Sequence, residues 1–283
     1  MVDSFYLEQI IVIMRYAIII AVLSVLAISG CTSVTTGNGL VVSLQADPPF
    51  AFSNSALDVH IDVDNHNMKT LRNVVVELFD TGMLKSEGCR REFSRPMLPN
   101  EFQSISCRLT TPPINESSIR TEVNSKASFE SDLSANQVFE IMNEGEYQRR
   151  TATSDYQLKP SNYVYRDSNV IIEIDFSEQP PLVIRSDKKY FVYFTIKNIG
   201  NGFISDIKPE DFFAGTSERN MNIIDCPPMT TLSPNGKTFP RIACEIKATP
   251  DYIGLGGFRN SEIMIKLTYK YEVRNTLGIN ILR

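Results

Sequence analysis

The sequence predicts an all-β chain built as two tandem antiparallel sandwiches behind an N-terminal signal or anchor helix, and three observations predict it. The first is a duplicated cysteine pair. Cys89 and Cys107 lie 18 positions apart, as do Cys226 and Cys244, and the second pair follows the first by 137 residues. Each second cysteine opens nearly the same phrase, Cys107-Arg-Leu-Thr-Thr-Pro112 and Cys244-Glu-Ile-Lys-Ala-Thr-Pro250. A fixed offset between whole constellations signals an internal duplication. The second is a succession of short β-branched and aromatic runs, with turn signals about every 8–12 residues. The third is aromatic content without Trp, 11 Tyr and 16 Phe, which suits pleated, half-buried surfaces.

With 283 residues, the chain has room for a leader and two domains of roughly 100–130 residues each. A hydrophobic share of 42% against 22% charged excludes wholesale disorder. A net charge of −5, with no basic patch interleaved with aromatics, argues against nucleic acid as a partner.

Tyr16 to Ile28 is a run of 13 residues without a charge, preceded by Arg15. It is short for a bilayer span, which needs about 20 residues, and fits a secretory signal core. It ends in Ile28-Ser29-Gly30-Cys31, which resembles a lipoprotein signal: an aliphatic residue, two small ones that admit a peptidase, then the cysteine that carries the lipid. The resemblance implies lipid attachment at Cys31. Asp3 and Glu8 are unusual ahead of a signal core, and Met14-Arg15 supplies a more compact start. The alternative is an uncleaved anchor helix over Ile10 to Ile28 with Arg15 inside it. Both readings place the body outside the cytoplasmic membrane.

Thr32 to Gly39 is small and polar, a tether. The first module (40–142) opens with the strand Leu40 to Gln45 and then Asp47-Pro-Pro-Phe50; the second (168–283) opens with Val170 to Phe176 and then Gln179-Pro-Pro-Leu182. A double proline cannot sit in a central ladder, so each marks a strand break at a sheet edge. Ala56 to Asn65 alternates strictly, which turns Leu57, Val59, Ile61 and Val63 inward. Its counterpart is Tyr190 to Asn198, and both runs end in Asn before a turn. Asn73 to Phe79 corresponds to Phe203 to Ile207 as the next strand. The first cysteine of each pair precedes a proline turn, Leu98-Pro-Asn100 or Leu232-Ser-Pro-Asn-Gly236, and the second lies on a strand. The first module closes with Ser118 to Phe129 and Gln137 to Ile141. The second closes with Glu262 to Val273, a turn at Arg274-Asn275, and Leu277 to Leu282. About seven short strands per module and no helix give the immunoglobulin-like pattern. The polar stretch 143–167, with Arg149-Arg150, reads as a linker.

Five cysteines divide into the two pairs and Cys31. The even set reads as two disulfides, Cys89 with Cys107 and Cys226 with Cys244, and hence an oxidising compartment. Reduced core cysteines are the alternative, since no Cys-x-x-Cys spacing suggests zinc. His60 and His66, the two histidines, share alternate positions with Asp58, Asp62 and Asp64, so an extended strand places all five on one face. That face is a conceivable divalent-cation site and, more simply, a solvated strand face; in the duplicate, Phe191, Tyr193, Thr195, Lys197 and Ile199 stand there instead. No nucleophile elbow, phosphate loop or zinc-protease motif is present, so no catalytic residue and no cofactor are expected. Asn115-Glu-Ser117 is a glycan acceptor sequence in a loop after Pro112-Pro113.

The Asn198-Ile-Gly-Asn-Gly202 turn and the Tyr269-x-Tyr271 strand resemble tandem CARDB-type domains of archaeal surface proteins, named for a cell-adhesion-related domain. The first module departs from that pattern, with Asn65-His-Asn67 in place of the glycine turn and Ser128 and Glu130 near the matching strand. The resemblance implies a non-catalytic cell-envelope lipoprotein that binds or scaffolds other envelope proteins or surface glycans. A subunit of a surface filament or sheath is the second expectation, and a metal-dependent or enzymatic accessory the third.

Overall fold

The structure is a computed structural model, and it describes residues 39–153, 156–216 and 223–283. The leader, Cys31 and the tether up to Asn38 lie outside the described residues. The body, Gly37–Arg283, forms one compact unit. In chain order its first half carries β1 (Leu40–Asp47), β2 (Phe50–Phe52), β3 (Ala56–Asn65), β4 (Arg72–Asp80), β5 (Lys85–Ser86), β6 (Arg90–Glu92), β7 (Phe102–Thr110) and β8 (Ser118–Met142). Helix α1 (Glu144–Thr151) follows. The second half carries β9 (Asn162–Arg166), β10 (Val170–Phe176), β11 (Leu182–Val183), β12 (Tyr190–Asn198), β13 (Phe203–Ile204), β14 (Phe212–Thr216), β15 (Ile224–Asp225) and β16 (Ile242–Ile246). The short helix α2 (Pro250–Ile253) and β17 (Phe258–Leu282) complete the chain.

The chain is mostly strand, as expected, and its sheets are predominantly antiparallel, with β2 and β11 the parallel exceptions. Each half builds a small sheet of its own, in the order β1-β3-β7-β5 for the first and β15-β16-β12-β10-β9 for the second. The third sheet belongs to both halves. It runs β13-β17-β8-β4-β6, with β2 and β14 also on β17 and β11 on β8. Its spine is the pair β8–β17, two strands of 25 residues each in unbroken antiparallel register from Ser118↔Leu282 to Met142↔Phe258.

Two turns read from the sequence are therefore absent. Ser118 to Met142 contains neither Gly nor Pro, so nothing forces the chain to fold back. Asn275, which reads as a turn residue, instead donates from Nδ2 to the carbonyl of Val42 on β1 at 2.8 Å and accepts from the amide of Thr276.

The register is symmetric about its centre: a shift of 140 in number carries Ser118 onto Phe258 and Met142 onto Leu282, so β8 and β17 take corresponding places in the two halves and pair with each other. The residues that are both equivalent and paired are Glu130 and Lys270, which form an ion pair at 3.3 Å. A pseudo-two-fold axis passes there. Such an axis makes contacts reciprocal. The strand after each double proline obeys it: β2 of the first half runs parallel to the end of β17, and β11 of the second half runs parallel to the end of β8.

Each small sheet packs on strand contributed by the opposite half. Asn275 ties the C-terminal half of β17 to β1, while Phe139 near the end of β8 stacks on Phe176 of β10 with ring centroids 5.1 Å apart. Between these regions Phe129 and Tyr271, partners across the spine, lie 5.6 Å apart. The inward alternation predicted for β3 holds, with Leu57, Val59, Ile61 and Val63 all fully buried. One continuous core results.

Helix α1 was not expected, because 144–151 has no apolar face and buries no residue. Its caps hold it instead. The Asn143 side chain accepts from the Glu146 amide at 2.8 Å, and acidic residues fill the first turn and arginines the last, which suits the helix dipole. Arg150 fastens it to the spine, donating to Glu140 at 2.7 Å and lying 4.0 Å from the centroid of the Phe258 ring. Hydrogen bonds from Arg149 and then Arg150 pull the Glu146 carboxyl down to about 2 from an ordinary 4.5. A carboxyl lowered on folding contributes stability above its unfolded value, and that contribution is lost as pH falls toward the folded one. The unfolding midpoint should therefore drop between pH 4.5 and about 2, and E146Q should flatten that drop. Parallel pH profiles of wild type and variant would refute the assignment.

Candidate functional site: the waist cleft

Between turns at the ends of the two small sheets, beside Ser131 of the spine, a cleft of about 950 Å³ opens. It is lined by the turn 66–69, Asn100, Ser131, the turn 166–168 and Ile199. Equivalent asparagines at the ends of β3 and β12 organise it. The Asn65 side chain is fully buried; it donates to the carbonyls of Lys69, Met97 and Leu98 and accepts from the amide of Asn67 at 3.0 Å. Asn198 donates to the Gly202 carbonyl and accepts from the Gly200 amide, and the Tyr271 hydroxyl donates to it at 3.3 Å.

The two turns then diverge. At Gly200 a Cβ would stand 2.1 Å from the Tyr271 hydroxyl oxygen, so that turn closes down on the spine and needs its glycines. The first-half turn carries side chains instead, and they line the cleft: His66, Asn67, Met68 and Lys69. Removing the anchor should be costly. N65A strands four backbone groups, each worth about 1–3 kcal/mol when buried without a partner, and partial rearrangement leaves an expected loss of about 3 kcal/mol. Chemical denaturation measures it, and a loss below about 1 kcal/mol would contradict the role given to Asn65.

The one carboxylate of the cleft is already committed. Asp167 accepts from the amides of Asn169 and Val170, both at 2.9 Å, and from the Tyr269 hydroxyl at 2.8 Å, with Lys69 Nζ at 3.5 Å. Burial, then the Asp167 charge, push the Tyr269 hydroxyl well above its ordinary pKa, so it remains a donor. The donors are less used. Lys69 also donates to the Asp132 carbonyl at 2.7 Å and keeps a third proton. Asn67 is 5% exposed, and its Nδ2 has no partner. Arg166 forms no ion pair or side-chain hydrogen bond among the described residues.

The residues singled out from sequence are placed as follows. Cys89 is bonded to Cys107 and Cys226 to Cys244, with Cα atoms 5.7 and 4.1 Å apart. Two bonded pairs point to an oxidising, extracytoplasmic setting. Asp58, His60, Asp62 and Asp64 share the outer face of β3, half-exposed. Arg108 takes both oxygens of Asp58 at 3.0 Å, Ser104 donates to Asp62 at 2.6 Å, and His66 pairs with Asp64 at 3.0 Å. Among the described residues, no three His, Cys, Asp or Glu side chains converge as metal ligands. Asn115 is exposed in the loop between β7 and β8.

Sequence reading missed Asn67, Lys69 and Arg166. The turn after Asn65 was read only as a turn, and 166–167 as linker, although Asp167-Ser-Asn169 is a tight-turn sequence of the kind that opens β10. No family model matches the chain, and no curated protein matches it.

Proposed function

We propose that this is a cell-envelope lipoprotein, lipidated at Cys31, whose two immunoglobulin-like sandwiches share their last strands and present one rigid surface to an envelope partner, a protein or a surface glycan. The observation that carries this reading is the β8–β17 spine. It fixes the two small sheets against each other and leaves the cleft open between them, which suits holding a ligand between two walls. The chemistry around it supports binding over catalysis. The paired cysteines are bonded, and the carboxylates of Asp58, Asp62, Asp64 and Asp167 are engaged by protein donors.

Two measurements on protein extracted from native membranes test the reading. Its intact mass should show a lipid on an N-terminus at Cys31 and a gain of four hydrogens on reduction. Affinity capture with the tagged protein should then retain an envelope protein or glycan. A mass that includes the leader without lipid, or capture of nothing alongside monomeric behaviour on gel filtration, would overturn it. Polymers on the same column would favour a filament subunit.

A further inference from the structure

We propose that the waist cleft binds an acidic saccharide, with the ligand's carboxylate held between Arg166 and Lys69. The inference deepens the glycan arm of the function proposed above and rests on that reading. Three features of the cleft carry it.

The first is the donor and acceptor balance. Arg166 brings a guanidinium with five N–H groups and no partner among the described residues, and a fork of that shape matches a carboxylate in two parallel bonds. Lys69 has a proton to spare. The one carboxylate within the lining, Asp167, is already served by two amides, a phenol and Lys69. The cleft therefore offers free cationic donors and no free carboxylate, which selects a negative ligand. That selection stands out on a chain of net charge −5.

The second is the amide nitrogen of Asn67. Buried polar groups are nearly always hydrogen-bonded, and an orphan one calls for a reason. Asn67 is 5% exposed, lines the cleft, and its Nδ2 is without a partner. A turn of the Asn67 side chain toward the cleft would bring this nitrogen to a ligand oxygen.

The third is size and texture. A cleft of about 950 Å³ is far larger than a carboxylate or phosphate ion needs. It falls at the upper end of the range of about 300–1,000 Å³ usual for small-molecule sites. Hydroxyls and an amide from Ser131, Ser168 and Asn100 share its wall with the apolar Met68 and Ile199. That mixture fits a sugar ring, which has hydroxyls at its edge and C–H groups on its faces.

Titration calorimetry of the body against a uronic-acid trisaccharide, the neutral trisaccharide of the same linkage, acetate and inorganic phosphate tests the proposal. The acidic trisaccharide should bind, weaken as salt rises, and bind at least about tenfold more tightly than the neutral one and than either small anion. R166Q should lose about tenfold or more, and R166K should recover part of the loss, because it keeps the charge without the fork. Arg166 is exposed on the edge strand β9, so both variants should keep the wild-type unfolding midpoint. Equal binding of acidic and neutral sugars, phosphate binding as tight as the uronate, or no binding of any probe would overturn the proposal. Uronate binding unchanged in R166Q would also overturn it, and would leave the glycan reading standing with its site elsewhere.

Discussion

Residues 37–153, produced alone, should not form a folded monomer. In the intact body the inner face of the spine is filled from both halves. Without the second half, Leu133, Phe139 and Ile141 lose the sheet that covers them, and the first half loses Ile279 and Ile281, all now buried. At about 2 kcal/mol per large apolar side chain, those five account for about 10 kcal/mol, comparable with the entire stability of a typical domain. The fragment should be unfolded, or should dimerise by pairing β8 with a second β8 around Glu130, the residue on the pseudo-axis. Mixed with residues 156–283, it should recover the native dichroism as a one-to-one complex. Sedimentation and circular dichroism read both outcomes. A cooperatively folded monomer of either half would show that the shared strands are incidental to stability.

Removing the second disulfide should lower the unfolding midpoint of the whole body by about 10 °C. Cys226 and Cys244 are 18 positions apart. Closing a loop of that length stabilises by about 3 kcal/mol on the chain-entropy account, and for a body of this size about 1 kcal/mol corresponds to 2–4 °C. Because the halves share a core, C226A/C244A should shift one transition seen by every probe, not the earlier of two. The first pair closes a loop of the same length, so C89A/C107A should produce a comparable shift. Scanning calorimetry distinguishes the cases: two resolved peaks in either variant would contradict a single cooperative unit.

Local features of the fold were legible because they are written in periodicity and spacing. The alternation in Ala56 to Asn65 marked an inward face that the structure buries. The double prolines at 48–49 and 180–181 marked breaks, and the equal cysteine spacings marked the two bonded pairs. The exchange of strands was not legible. Whether β8 folds back on itself or runs on to meet β17 depends on long-range partners, and the same alternation of side chains serves both. The one local clue was negative, the absence of Gly and Pro between Ser118 and Met142, and Asn275 pointed the other way because its amide serves β1 and not a turn. Helix α1 escaped because caps and ion pairs hold it and no apolar stripe does. The cleft escaped for a related reason. Its walls come from segments 30 or more residues apart in sequence, joined only when the two halves meet across the pseudo-axis.

The most direct test of the shared spine is the distance between Glu122 and Val138, both exposed on β8. Spin labels on E122C/V138C, with Cys31 replaced by serine, report it by pulsed electron resonance. If β8 runs straight through both halves, the labels stand on the order of 50 Å apart at about 3.3 Å per residue. If β8 turns at Glu130 and pairs with itself inside one sandwich, the two positions become neighbours and the distance falls to about 5–10 Å. The long distance is the predicted result. The short one would dissolve the exchange, and the body would become two separate sandwiches.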